Sequence, residues 1–150
     1  MSDPPPDPGA RRAATRLLSE HLATVAEEEW VRAVEHEPPD RWYVRFATPE
    51  RDGATVHLVL DQRSVRYELY FLPDPPAGRE DVHRLVLRAN HDLDVARFSL
   101  GPDGDLYLRG RIPLEHLDAV ELDHHLGVLY QAVERFFPLA LALVRRGRRA

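Results

Sequence analysis

Apolar residues recur along this chain with two different periods. Between Arg11 and about Glu28, Ala14, Leu18, Leu22, Val25 and Ala26 fall largely at spacings of three and four, with Arg and Glu between them. That period predicts an amphipathic helix. The run Glu27-Glu28-Glu29 reads as its solvated face. Trp30 to Val34 either continues the helix or opens an extended segment, and Pro38-Pro39 ends it. From residue 41 the period falls to two. Trp42, Val44 and Phe46 alternate with Arg41, Tyr43 and Arg45; Val56, Leu58 and Leu60 with Thr55, His57 and Val59; Val65, Tyr67, Leu69 and Phe71 with Arg66, Glu68 and Tyr70. Three such segments, separated by a turn signal at Asp52-Gly53 and a reversal over Asp61 to Ser64, predict an antiparallel meander with one buried face.

The segment Pro73 to Gly78 interrupts the sheet, and a second helix is expected from about Arg79 to Leu93 on the stripe Val82, Leu85, Val86, Ala89 and Leu93. Ala96, Phe98 and Leu100 predict a fourth strand, Gly101-Pro102-Asp103-Gly104 a tight turn, and Leu106, Leu108 and Ile112 a fifth strand. Asp118 then reads as an N-cap with Glu121 as its box partner. Leu122, Leu126, Leu129, Val133, Phe136, Ala140 and Leu143 follow at alternating spacings of four and three, the core stripe of a long helix. Pro138 should kink or restart it. Gly127 costs helix propensity, about 1 kcal/mol against Ala, which suggests that another backbone approaches there. The predicted class is α+β: one domain in the order α-β-β-β-α-β-β-α, its curved antiparallel five-stranded sheet packed on helices. Residues 1–10 read as a disordered proline-rich leader, 11–144 as the domain and 145–150 as an arginine-rich tail.

Composition narrows the function. A chain of 150 residues with 43% hydrophobic and 30% charged residues can form a core without staples. It holds no cysteine, which removes disulfides, thiol nucleophiles and thiolate metal sites. It also holds no lysine, which removes phosphate-loop lysines and Schiff bases. Neither a cationic, apolar signal segment nor an uninterrupted run of the ~20 apolar residues of a membrane span is seen, so a cytoplasmic location without membrane partners is expected. A net charge of −5 argues against nucleic acid as a partner.

The non-buried side of the strands carries the candidate chemistry. Tyr43, Arg45, His57, Arg66, Tyr70, Arg97, Tyr107, Arg109 and Arg111 all alternate outward, with Glu68 as their one acidic neighbour. Arg and Tyr dominate binding hot spots because they offer forked or stiff contact area. These nine residues are the candidate partner-binding set, for an acidic or extended segment received on the face or by strand addition at its edge. The alternatives are a solvated face paired with acids elsewhere, or burial of the same face in a dimer.

Other chemistries find less support. Glu115, His116, Glu121, Asp123, His124 and His125 crowd one region, and His91, Asp92 and Asp94 another, yet adjacent His124 and His125 diverge by about 100° on a helix, so solvated histidines are expected and no metal. The four serines lie outside any Gly-x-Ser-x-Gly elbow, and no glycine-rich phosphate loop occurs. No catalytic residues and no cofactor are expected. Stacking of RNA on the tyrosines runs against the element order and the net charge.

Taken in order, Arg41-Trp42-Tyr43-Val44-Arg45-Phe46, Tyr67-Glu68-Leu69-Tyr70 through Pro73, Leu85 to Asn90, Asp105 to Pro113 and Glu121-Leu122-Asp123 through Gly127 give the chain a family likeness. It resembles an actinobacterial member of the YbjN family, whose fold is that of type III secretion chaperones. The loop Asp74 to Gly78 and the turn Asp92-Leu93-Asp94 depart from the family pattern. The resemblance implies the same α-β-β-β-α-β-β-α domain, often dimeric, binding peptide or unfolded protein segments and without catalytic residues. The expected function is a non-catalytic, chaperone-like adaptor, a homodimer whose dimer surface is either the seam of the last helix or the apolar face of the second. The alternatives are a dimeric signalling regulator without a client peptide and, further off, a metal-dependent enzyme.

Overall fold

A computed structural model describes residues 4–150. The first three residues of the expected leader lie outside the described residues. α1 spans Pro8–Val25, β1 Val31–Glu37, β2 Arg41–Thr48, β3 Arg51–Leu60, β4 Ser64–Leu72, α2 Arg79–Asp92, β5 Arg97–Leu100, β6 Leu106–Pro113 and α3 Ala119–Arg149, with a 3-10 turn at Leu114–His116 before α3. The sheet is antiparallel throughout, in the order β1-β2-β3-β4-β6-β5. It has six strands where the pattern predicts five.

The added strand is β1. α1 begins at Pro8, three residues before Arg11, because Asp7 accepts a hydrogen bond from the Gly9 amide (2.9 Å) and proline occupies the first turn. It stops at Val25. The acidic run lies in the following turn rather than on a helix face, with the Glu27 and Glu28 amides donating to Thr24 (3.1 Å) and Val25 (3.0 Å) carbonyls. Trp30 to Val34 is therefore where extended chain begins. β1 is an edge strand and mostly exposed, so its sequence VRAVEHE carries little alternation for a pattern search to find. The β2–β3 turn also sits earlier than Asp52-Gly53. Thr48 pairs with Arg51, leaving Pro49-Glu50 as the turn and Gly53 inside β3.

All three helices lie on one side of the sheet. Leu18 and Leu22 of α1, Val82 and Val86 of α2, and Leu122, Leu129, Val133 and Ala140 of α3 meet Trp42, Val44, Phe46, Leu58, Leu69, Phe71, Leu108 and Ile112 of the strands in one core. Burying side chains of this size contributes roughly 1.5–3 kcal/mol each. The seam of α3 holds as far as Ala140, after which Val144 is buried in place of Leu143. The helix runs on through Pro138. Its length and apolar composition match those of a membrane-crossing helix, although no single run in the sequence shows it; the stripe is packed on the sheet. The two stripes expected as dimer surfaces, on α2 and α3, are thus occupied within the chain.

α2 starts against the far end of α3. Gly78 takes φ 66°, and a Cβ there would lie 2.6 Å from the Leu143 carbonyl. A Cβ on Gly147 would lie 2.5 Å from the Gly78 nitrogen, so these two glycines bring the helices into backbone contact. Gly127, expected to serve that purpose, does not: a Cβ there would meet open space. At the other end of α2, Asn90 acts as a strand for β5. Its amide donates to the Phe98 carbonyl (3.0 Å) and its oxygen accepts from the Phe98 amide (2.7 Å), occupying both groups on the outer edge of the sheet. Among the described residues, β1 is the edge without such a cover.

Candidate functional site

Pleating sends every second strand residue to the side without helices, and the register sorts these residues into rows across the sheet. One row runs Glu37, Arg41, Val59, Arg66, Arg111 from β1 through β6. The next runs Glu35, Tyr43, His57, Glu68, Arg109, Arg97 from β1 to β5. The third contains Arg45 opposite Thr55 and, beyond them, Tyr70 opposite Tyr107 opposite Ser99. The nine residues picked out by alternation therefore do share one face, although they come from five strands.

The first two rows frame a hollow of about 500 Å³ lined by Arg41, Arg66, Arg97, Arg109, Arg111, His57, Glu68, Tyr67 and Gly110, among others. Five arginines surround one glutamate. Arg109 reaches Glu68 at 3.6 Å and Arg66 turns outward to Asp61 at 3.1 Å, both pairs half exposed and worth little to stability. Arg97 donates to the carbonyls of Leu93 (2.6 Å) and Ala96 (2.7 Å), which accept but bear no charge. Arg41 and Arg111 have no carboxylate partner among the described residues. Tyr43 stands beside His57, its ring edge-on at 4.9 Å, and its hydroxyl donates to Glu37, which raises the tyrosine pKa. Tyr70 and Tyr107 pair edge-to-face at 5.5 Å in the third row, away from the hollow. Arg45 is also apart, its guanidinium lying over Gly53.

Sequence reasoning missed the polar device beneath this face. Tyr67 points into the core, where its hydroxyl meets His125 Nδ1 at 2.5 Å, and His125 Nε2 lies 3.0 Å from Glu121 Oε1. A carboxylate only accepts, so Nε2 carries the proton and Nδ1 accepts from the tyrosine. Burial pushes the Tyr67 pKa up and the His125 pKa down from 6.5, so both are held neutral. His125 is buried, not solvated as the helix-face reading expects. Glu121 is consequently half of a capping box: its amide donates to Asp118 (2.7 Å), but its side chain serves His125. The Tyr67 ring crosses the bare backbone of Gly110, where an added Cβ would lie 2.2 Å from the hydroxyl. A glycine inside a strand is the signal that would have found this contact. The chain Tyr67–His125–Glu121 pins the sheet to α3.

A second hollow of about 550 Å³ opens where Glu121 and His125 meet Val95, Glu115, His116 and Asp118, and Arg111 lines both hollows. Val95 stands at φ 51°, a conformation that a β-branched residue adopts only under constraint. The Asp94 carboxylate supplies it by accepting from the Val95 amide (3.0 Å) while pairing with His124 at 2.7 Å, and that hydrogen bond holds the Asp94 pKa below 3.8. A half-buried arginine lies elsewhere. Arg51 donates to the carbonyls of Gly53 (3.0 Å), Phe71 (2.7 Å) and Tyr70 (2.9 Å) and covers the Phe137 ring, and burial lowers its pKa.

An antiparallel sheet of this order with helices on one face is a fold also found among type III secretion chaperones. A crystal structure of the ExsC-ExsE complex matches 87% of the chain and 95% of its own with a TM-score of 0.59 at 18% identity. The Yersinia pestis type III secretion chaperone SycH, in complex with a stable fragment of YscM2, matches 86% and 98% with a TM-score of 0.52 at 19% identity. The HopA1-SchA chaperone-effector complex matches 97% and 100% with a TM-score of 0.55 at 12% identity. At these identities the likeness is one of fold. The chain belongs to the YbjN family, whose model, described as "Putative bacterial sensory transduction regulator", matches residues 17–142. The uncharacterized protein Rv0487 of Mycobacterium tuberculosis is 37% identical over 86 residues, and ML2442 of Mycobacterium leprae 35%. The match takes in 57% of this chain and 47% of each relative, so the compared region spans about half the length of the curated relatives.

Proposed function

We propose that the protein is a non-catalytic, chaperone-like adaptor that receives an acidic protein segment on the arginine- and tyrosine-bearing face of its sheet, and that it works as a cytoplasmic homodimer. The observation that carries this reading is the face itself: five arginines around one glutamate, flanked by tyrosines, on a protein of net charge −5. Structural neighbours solved in complex with protein partners support a protein ligand in general terms. The segment lies across the face rather than adding to the sheet at β1, because β1 turns Glu35 and Glu37 toward the same side and would repel an acidic strand.

The dimer surface is sought among what the core leaves exposed: Leu87 on α2, Leu139 on α3 and Leu100 at the end of β5. The competing reading is a regulator without a client peptide, acting through its dimer. An array of acidic peptides separates the two. Capture is expected for the unaltered protein and lost when Arg45→Glu and Arg109→Glu are combined. Capture that survives the double reversal ends the proposal, and failure to retain any extended peptide while binding one folded partner favours the regulator.

A further inference from the structure

The register places arginine directly against arginine twice. Arg66 of β4 faces Arg111 of β6, and Arg109 of β6 faces Arg97 of β5. Directly opposed residues of an antiparallel pair stand about 4.5–5.5 Å apart at Cα, and like charges there destabilise the sheet. One glutamate, Glu68, sits among the four and pairs with Arg109, while Arg66 turns out to Asp61. Each guanidinium is a planar fork that an oxyanion accepts in bidentate fashion. A single carboxylate satisfies one fork. A phosphoryl group presents three strong acceptor oxygens and close to two negative charges, and so can be met from several sides at once. The hollow of about 500 Å³ is within the range of small-molecule sites, and His57 offers an aromatic ring in its lining.

We infer that this hollow binds a phosphorylated small molecule through Arg66, Arg111, Arg97 and Arg109, as a ligand distinct from the protein segment proposed above. Its occupancy and that of an acidic segment on the same face are mutually exclusive, so the ligand controls capture. A nucleotide and a bare oligophosphate share the required chemistry. Nucleic acid fits less well, because Glu35, Glu37 and Asp61 border the arginines and would oppose a backbone tracking across the sheet.

Calorimetric titration at about 0.15 M salt, where only close charges survive screening, tests this with pyrophosphate, ATP and citrate as probes. Saturable binding of pyrophosphate or ATP is expected, with citrate at least about tenfold weaker and Arg111→Gln weakening the phosphates by about tenfold or more. Arg149→Gln, at the end of α3 and outside the hollow, leaves affinity unchanged. ATP tighter than pyrophosphate assigns a nucleotide; equal affinity assigns the phosphates alone. In the absence of ligand, Arg111→Gln should melt about 1–3 °C higher, because an opposed charge is gone. Absence of phosphate binding, citrate as tight as pyrophosphate, indifference to Arg111→Gln, or a single-stranded oligonucleotide binding more tightly than ATP overturns the inference. Peptide capture without phosphate binding refutes this inference alone; phosphate binding without capture refutes only the adaptor.

Discussion

Replacing Gly110 by alanine tests the contact that joins the open face to the core. The new Cβ would stand 2.2 Å from the Tyr67 hydroxyl, 2.4 Å from Cζ and 3.0 Å from Cε2, so the ring itself must move. Overpacking of this kind costs about 1–3 kcal/mol. A displaced ring also loses the 2.5 Å hydrogen bond to His125, leaving a buried imidazole nitrogen unsatisfied at a further cost of roughly 1–3 kcal/mol. Against this, alanine restricts the unfolded chain and returns about 0.4–1 kcal/mol. The net is on the order of 3 kcal/mol. At about 2.1 cal/mol/K per residue over 150 residues, this is a fall of roughly 10 °C in Tm. Thermal and urea denaturation measure it. Tyr67→Phe cannot rescue the variant because the ring carbons remain, whereas Tyr67→Leu shortens the side chain. In the Tyr67→Leu background the same glycine substitution should cost less than about 1 kcal/mol, a coupling energy of about 2 kcal/mol in the double-mutant cycle. A Gly110→Ala protein as stable as the parent, or a cost that is the same in both backgrounds, would refute the reasoning.

Three further outcomes are expected. Burial depresses the His125 pKa below 6.5, so below that pH the unfolded chain takes up a proton that the folded one refuses. Stability is then full above about 6.5 and is lost as pH falls through the folded value; urea titrations at pH 7 and pH 5 should show this slope, and a His125→Asn variant that keeps it would contradict the assignment. Val95→Gly relieves φ 51° and should raise unfolding stability by about 1 kcal/mol, with a decrease telling against strain at that residue. Asn90→Ala removes two hydrogen bonds to Phe98 and should cost about 1–3 kcal/mol while speeding hydrogen exchange at the Phe98 amide; unchanged exchange would show that the edge is guarded by something else.

Much of this architecture was legible in the sequence because burial is one-sided. Where a strand has a dry face and a wet one, as in β2, β3 and β4, alternation names both, and all nine candidate face residues follow from it. β1 escaped because its exposure is nearly uniform, so its pattern has no period. Gly127 misled because a helical glycine has several causes, and open space is one of them. His125 escaped for a different reason. Its role depends on Tyr67, 58 residues away, and only the tertiary fold brings the two rings together. The concentration of arginine into opposed pairs was equally hidden, since alternation gives the face of a residue but not the register of its neighbour.

The strand order divides the sheet into a four-stranded meander, β1 to β4, and a terminal hairpin, β5–β6, sewn together along the single β4–β6 border. Arg66 and Arg111 lie on opposite banks of that border. Neither bank alone holds more than part of the charge cluster, which is complete only where β6 pairs with β4. By mass action, whatever bridges the two arginines also resists their separation. A ligand spanning that border would therefore act as a clasp between the meander and the hairpin.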